Sequence, residues 1–266
     1  MTSLWPEQPA PTEDEIAARV RTERRGHVLA VSMTRTDKRN AVDPAMTAAL
    51  DRALDTLDDN PDLRCGVLTG GPSVFCAGTD IAVGPGAPTP RGGNYGVVAR
   101  QRTTPLVAAV EGIAFGGGFE IVLACDVVVA SRTARFGLPE VGLGLVANCG
   151  ALFRGPRALP PMVARAILLT GDPLSAERAY ELGLVTELVE PGAAPERALE
   201  LAGRVAARSP VAVRATLAAL DAALGDADAQ GWADTDTAVA RVIDSEDRVE
   251  GVTAFFAKRP PVFPGR

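Results

Sequence analysis

The stretch PLVAAVEGIAFGGGFEIVLACDVVVAS, residues 105–131, decides the fold. Residues 106–110 form an apolar run of strand length, 116–125 read as a short buried helix, and 126–130 as another strand. Three consecutive glycines, Gly116, Gly117 and Gly118, are a poor way to begin a helix unless something must approach the backbone closely. At a helix N-terminus they present unpaired N–H groups and the positive end of the helix dipole. That builds an anion or oxyanion site without side chains. Tight packing of helix on strand is the alternative use of such glycines.

The same alternation extends outward. Residues 27–33 (HVLAVSM) and 65–69 (CGVLT) read as strands. Between them Asp43 is an N-cap candidate with Pro44 at the first helical position, and Met46, Leu50, Leu54 and Leu57 recur at helical spacing to about Asp58. Strands alternating with helices imply an α/β fold. Beyond about residue 150 the character turns helical, over 160–169, 175–182, 196–208, 211–224, 228–244 and 245–258, with one further short strand within 183–189. The organisation expected is a flexible arm (1–15), an α/β core (16–194) and a C-terminal helical region (195–266).

Composition narrows the chemistry. The 266 residues carry a net charge of −6, with 47% apolar and 23% charged residues, an ordinary globular composition that argues against a nucleic-acid scaffold or a polybasic membrane anchor. His27 is the only histidine, so histidine-rich metal sites are excluded and a Ser-His-Asp site would have to use that residue, which opens a strand. Acid–base chemistry therefore falls to carboxylates, lysines or the two tyrosines. Cys65, Cys76, Cys125 and Cys149 form no CxxC pair and read as buried free thiols. No apolar run reaches about 18 residues, so no membrane span is expected. The polar, proline-rich start reads as no secretory leader. Gly142, Gly144 and Ala147 spell a GxGxxA pattern, but Pro139 breaks the segment before it and no acid follows near residue 165, so dinucleotide binding is rejected.

Two carboxylates stand out. Glu120 lies in the first turn of the apolar helix, where the dipole alone could account for it. Glu140 is the lone charge in RFGLPEVGLGLV, where apolar surroundings would raise its pKa and make it a usable proton donor near neutrality. A second backbone-donor candidate is Phe75-Cys76-Ala77-Gly78-Thr79-Asp80, whose small residues let the main chain meet a ligand or simply make a tight turn. Asp80 reads more readily as a turn-stabilising carboxylate than as a catalyst. Lys38-Arg39-Asn40-Ala41 could meet phosphates or be a solvated turn, and Phe255 with Lys258 could be a ligand contact or an amphipathic helix end.

The order of these blocks carries more than any one of them. DKRNAV (37–42), VFCAGTDI (74–81), residues 105–131, ARFGLPEVGLGLV (134–146), LLTGDPLSAERAYELGLVTELV (168–189) and SEDRVEGVTAFFAKRPP (245–261) together resemble the enoyl-CoA hydratase/isomerase (crotonase) superfamily from about residue 20 to the C-terminus. The resemblance implies a ClpP/crotonase-like spiral of ββα units with a C-terminal helical trimerisation region. It implies an oxyanion hole from the backbone N–H groups of Thr79 and Gly117. Glu120 would be the base that activates water and Glu140 the acid that protonates C2 of a 2-enoyl thioester. CoA recognition would involve Lys38, Arg39, Asn40, Ala41, Ala77, Gly78, Asp80, Gly116, Phe255 and Lys258. No metal or separate cofactor is implied, since CoA is part of the substrate. A cytoplasmic homotrimer or homohexamer in fatty-acid metabolism is the family expectation, with the C-terminal helix often donated by a neighbouring subunit.

The leading activity is reversible hydration of a 2-enoyl-CoA. The alternatives are a Δ3-Δ2-enoyl-CoA isomerase or another crotonase-type acyl-CoA enzyme, and then a non-catalytic acyl-CoA binder. Several departures from the family pattern bear on the substrate. Ala147-Asn148-Cys149-Gly150-Ala151 replaces the usual Pro-Gly-x-Gly-Gly, Thr79 is larger than usual, and Ala82 and Val83 stand where a lysine is common. The Gly/Pro-rich segment 81–96 reads as a mobile lid that orders on binding.

Overall fold

The computed structural model describes Trp5 and residues 8–266. In chain order its elements are α1 (Glu13–Ala17), β1 (Val20–Arg25), β2 (Val28–Met33), α2 (Pro44–Asp59), β3 (Cys65–Thr69), β4 (Leu106–Val110), β5 (Ile113–Phe115), α3 (Gly117–Leu123), β6 (Val127–Ser131), β7 (Arg135–Gly137), α4 (Ala151–Ala158), α5 (Pro161–Thr170), β8 (Leu174–Ser175), α6 (Ala176–Glu181), β9 (Glu187–Val189), α7 (Ala194–Ala206), α8 (Pro210–Ala222), α9 (Gly225–Val242) and α10 (Glu246–Phe256).

The main sheet has the order β1-β2-β3-β4-β6-β9, antiparallel only at β1–β2. β3 and β4 are buried along their whole length, which is why they read as continuous apolar runs. On one face α7 presents Ala194, Ala198, Leu201 and Ala202 to Val28, Val67, Val107 and Val129. On the other lies the larger core, where Met46, Leu50, Leu54 and Leu57 of α2 pack with Leu68, Phe75, Phe119 and Phe136. Asp43 caps α2 by accepting from the Met46 N–H at 2.8 Å, and Arg19 and Arg35 pair with its carboxylate. The second sheet, β5-β7-β8, is small. It is nevertheless what places the site, because β5 delivers the chain into the triple glycine and β7 delivers it into Glu140.

The expected core elements form within a residue or two, and the crotonase-like α/β architecture holds. Four differences stand out. The arm read at 1–15 is shorter, because Thr12 caps α1 in a reciprocal box with Glu15, so residues 13–15 are helical; the first four residues, Pro6 and Glu7 lie outside the described residues. β1 (VRTERR) is an exposed edge strand whose charges hide its pairing with β2. α4 forms despite Gly155 and Pro156 within it. The fourth difference concerns segment 81–96.

That segment is not a free lid. Its second half is moored to α2, where Thr89 Oγ1 donates to Asp51 at 2.8 Å and Arg91 pairs with Asp55 and Asp59. Just beyond it, the buried Arg100 is clamped by Asp51, Asp55 and Asp58. Tyr95, Val97 and Val98 are buried in the core. No helix among the described residues is long and apolar enough to cross a membrane.

Gly118 shows how tightly α3 is seated, since a Cβ there would lie 2.3 Å from the Cys76 carbonyl oxygen. Gly118→Ala should therefore destabilise the protein by about 1–3 kcal/mol, despite the better helix propensity of alanine. A thermal-denaturation series should show a melting temperature several °C lower; an unchanged or raised value would show that the two segments can part freely.

Candidate active site

Two backbone segments meet at the centre of the site. Val42 N–H donates to Gly78 O at 2.8 Å and Asp80 N–H to Val42 O at 2.9 Å. In such a parallel bridge the intervening residue turns its own N–H the other way, so that of Thr79 faces out of the ladder. Gly116 (φ 53°) anchors on Gly137 O at 2.8 Å, and Gly117 begins α3, where the N–H has no intrahelical acceptor. Among the described residues neither the Thr79 nor the Gly117 N–H has an acceptor. The segments are in close approach, for a Cβ on Gly78 would lie 3.2 Å from Gly117 N and 2.9 Å from Phe115 O. Gly78 also has φ 100°, so both conformation and space require glycine there.

The carboxyls come next. Glu120 is buried in the first turn of α3, where its Oε1 accepts from Cys149 N–H at 2.7 Å and Ala151 N–H at 3.0 Å. Burial pushes its pKa up to about 7, against the lowering effect of those two donors. Glu140 sits in a 3-10 turn, Pro139–Leu143, directly after β7. Its Oε1 would lie 3.1 Å from a Cβ on Gly116, and its buried Oε2 has no hydrogen-bond partner among the described residues. Burial, then the charge of Glu120, push its pKa up to about 8. The site thus holds two buried carboxyls, both with pKa raised by burial and the charge of Glu120 acting on Glu140, beside two free N–H donors.

A cavity of about 470 Å³ opens onto this centre. Lys38, Arg39, Ala41, Ala77, Gly78, Thr79, Asp80, Gly116, Gly117, Glu140 and Phe255 all line it, as the sequence led one to expect, while Glu120 is buried behind. Asp80 pairs with Arg35 at 2.8 Å and accepts from Ala82 N–H at 3.0 Å, so its carboxylate holds the turn.

Two residues expected to contact the ligand lie off the cavity lining. Asn40 is fully buried and does not line the cavity; its Nδ2 donates to Gly70 O at 2.6 Å and Phe75 O at 3.0 Å, so it shapes the loop that carries Ala77. Lys258 lies just past α10, exposed, with φ 52°, and does not line the cavity either.

Asn148, in the segment that departs from the family pattern, lines the cavity, as does Phe256 beside Phe255; Trp5 and Tyr95 also line it and escaped the sequence reading. Trp5 donates from Nε1 to Ile81 O at 2.9 Å. The Tyr95 hydroxyl lies 2.8 Å from Thr79 Oγ1, and burial keeps the phenol neutral, well above its ordinary pKa. One signal for it was available: it is one of two tyrosines, set among glycines in GGNYG. α10 packs on its own chain's 3-10 turn, so closely that a Cβ on Gly251 would lie 2.2 Å from the Leu143 backbone. Phe255 and Phe256, both half-exposed, therefore line this chain's own cavity.

Known proteins can now be set beside this geometry. A family model described as enoyl-CoA hydratase/isomerase matches residues 23–266. "Enoyl-CoA hydratase EchA19" of Mycobacterium tuberculosis is 38% identical over 255 residues, covering 92% of this chain and 96% of the relative. "(E)-Benzylidenesuccinyl-CoA hydratase" of Thauera aromatica is 38% identical over 247 residues, covering 90% and 96%. A crystal structure of a carnitinyl-CoA hydratase from Mycobacterium avium superposes with a TM-score of 0.88 at 38% identity, covering 94% and 99%. With its six ordered blocks and this match over nearly the whole length, the chain belongs to the enoyl-CoA hydratase/isomerase family, the crotonase superfamily.

Proposed function

We propose that this crotonase-type enzyme is a 2-enoyl-CoA hydratase that reversibly adds water to give a 3-hydroxyacyl-CoA. One observation carries the reading: two buried carboxyls, Glu120 and Glu140, whose Oε2 has no partner among the described residues, stand at the same centre as two unengaged backbone N–H groups, and burial raises the pKa of both acids. The relatives named as hydratases of acyl-CoA thioesters support it.

In this mechanism the thioester oxygen sits between the N–H groups of Thr79 and Gly117. Those donors stabilise the charge that grows on it as water attacks; losing one such donor typically costs about 10²–10³ in rate. Ionised Glu120, oriented by the Cys149 and Ala151 amides, removes a proton from water, and the oxygen adds to C3. The resulting enolate takes a proton at C2 from protonated Glu140. The two carboxyls, now holding exchanged protonation states, reset by proton transfer between them. Addition of water changes no oxidation state, so two acids and a polarised carbonyl suffice. Lys38 and Arg39 at the cavity mouth would meet the phosphates of CoA. Exposed Val211 and Leu220 on α8, with Met162 and Leu169 on α5, support the reading of an assembly surface for a homotrimer or hexamer.

The pH dependence follows from the pair. Activity needs Glu120 ionised and Glu140 protonated, so kcat should rise through pH of about 7 and fall above about 8, with the apparent values belonging to the pair. A rate profile on crotonyl-CoA from pH 5 to 9.5 checks this. A flat profile would remove the carboxyl pair from the rate-limiting chemistry, and exclusive conversion of 2-enoyl- to 3-enoyl-CoA would favour the isomerase.

A further inference from the structure

We propose that Tyr95, together with Asn148, closes the acyl end of the cavity and restricts the enzyme to short acyl groups. This rests on the hydratase reading, which seats the thioester between Thr79 and Gly117. Lys38 and Arg39 line the cavity from the exposed side and Tyr95 lines it from the buried side, so a CoA held by the two cations would direct its acyl chain towards Tyr95.

The Tyr95 ring stands directly against the start of α3. A Cβ on Gly117 would lie 2.4 Å from its hydroxyl oxygen and 2.6 and 2.8 Å from two ring carbons. That space is filled, and the ring cannot easily vacate it. Tyr95 is buried, with a left-handed backbone (φ 59°) that a non-glycine residue holds only when its surroundings impose it. Gly96, which follows it, packs against the Thr47 carbonyl of α2, and Arg100 is clamped by three aspartates of the same helix. The hydroxyl is tied to Thr79 Oγ1 at 2.8 Å, and the neighbouring Asn94 donates to Cys149 Sγ at 3.4 Å. Cys149 Sγ in turn reaches Asn148 Oδ1 at 3.2 Å, which fixes that amide in the cavity wall where the family pattern has glycine. Leu143, Leu145 and Val146 also line the cavity and can receive a short acyl chain, and on this proposal a longer one runs into the fixed Tyr95 ring.

The test compares kcat/KM for 2-enoyl-CoAs of four to twelve carbons, with calorimetric Kd for the saturated acyl-CoAs of the same lengths. The wild type should lose at least about tenfold in kcat/KM, and in affinity per added pair of methylenes gain nothing, between four and ten carbons. Tyr95→Ala should raise the ten-to-four-carbon ratio at least tenfold, and Asn148→Gly should raise it by less. If Tyr95→Ala does not fold, Tyr95→Leu shortens the wall in a volume-tolerant way and should shift the ratio in the same direction. Tyr95→Phe, which keeps the ring, should leave the ratio unchanged. Efficient hydration of ten-carbon substrate by the wild type, or an unshifted ratio in the truncated variants, would overturn the proposal. Should no enoyl-CoA be hydrated at all, the hydratase reading fails, while the calorimetric series still reports on the wall.

Discussion

Glu140→Gln is expected to lower kcat for crotonyl-CoA hydration by about 10³, within the range of about 10²–10⁴ typical of a positioned general acid. The amide is nearly isosteric but delivers no proton to C2. KM and the affinity for a saturated acyl-CoA should change little, because Lys38, Arg39 and the two N–H donors are untouched. The same change should also stabilise the protein at alkaline pH. Glu140 has its folded-state pKa raised from 4.5 to about 8, so the folded state binds the proton more tightly than the unfolded chain. Its contribution to stability is therefore fully present below pH 4.5 and is lost as pH rises to about 8. Glutamine escapes that loss. The melting temperatures of wild type and variant should coincide near pH 4.5, and the variant should melt several °C higher at pH 8.5. A mutant that loses activity and stability together would make Glu140 a structural group.

Glu120→Gln is the second change with a large expected effect. The glutamine oxygen can still accept from Cys149 and Ala151, at 2.7 and 3.0 Å in the wild type, so the fold should survive. On the proposed mechanism the base that activates water is gone, and kcat should fall by about 10³ or more. This variant also probes the coupling. The charge of Glu120 is one cause of the raised pKa of Glu140, so its removal should move the alkaline limb of the residual activity to lower pH. Residual activity measured in stopped-flow or long incubations against pH reports this directly. An alkaline limb that stays at about 8 would mean that Glu140 is held up by burial alone.

The site was legible in the sequence to the extent that it is made of short ordered blocks. Gly116–Gly118 betray themselves because no helix begins that way without a reason, and the structure supplies three: Glu140 Oε1 over Gly116, the Tyr95 ring over Gly117 and the Cys76 carbonyl over Gly118. Glu140 was visible as a lone charge among apolar residues, and its orphaned Oε2 is the structural counterpart. What escaped depends on long-range placement. Asn40 sits in a polar, cation-bearing segment that looks like a ligand contact, yet its amide closes the 70–75 loop. Segment 81–96 is rich in glycine and proline, which suggests mobility; its anchors, Asp51, Asp55 and Asp59, lie on a helix some thirty to forty residues earlier. Tyr95 was hidden by the same segment. β1 and α4 were masked because edge charges and an internal Gly-Pro pair contradict local propensity, which tertiary packing overrides.

The same physics explains why one histidine is enough. A site of two carboxyls and two peptide N–H groups draws its strength from burial, which raises both pKa values to the working range and leaves the donors unengaged. Substitutions that let water reach Glu120 should lower both values and blunt the chemistry without removing any catalytic group.

The measurement that bears most directly on this account is incubation of crotonyl-CoA with wild-type enzyme in H₂¹⁸O, with the product analysed by mass spectrometry. The two-glutamate mechanism predicts 3-hydroxybutyryl-CoA carrying one ¹⁸O on C3, at a rate that collapses in both Glu120→Gln and Glu140→Gln. Formation of no hydroxyacyl-CoA from this or longer enoyl-CoAs, or labelled product formed at wild-type rate by either variant, would contradict it.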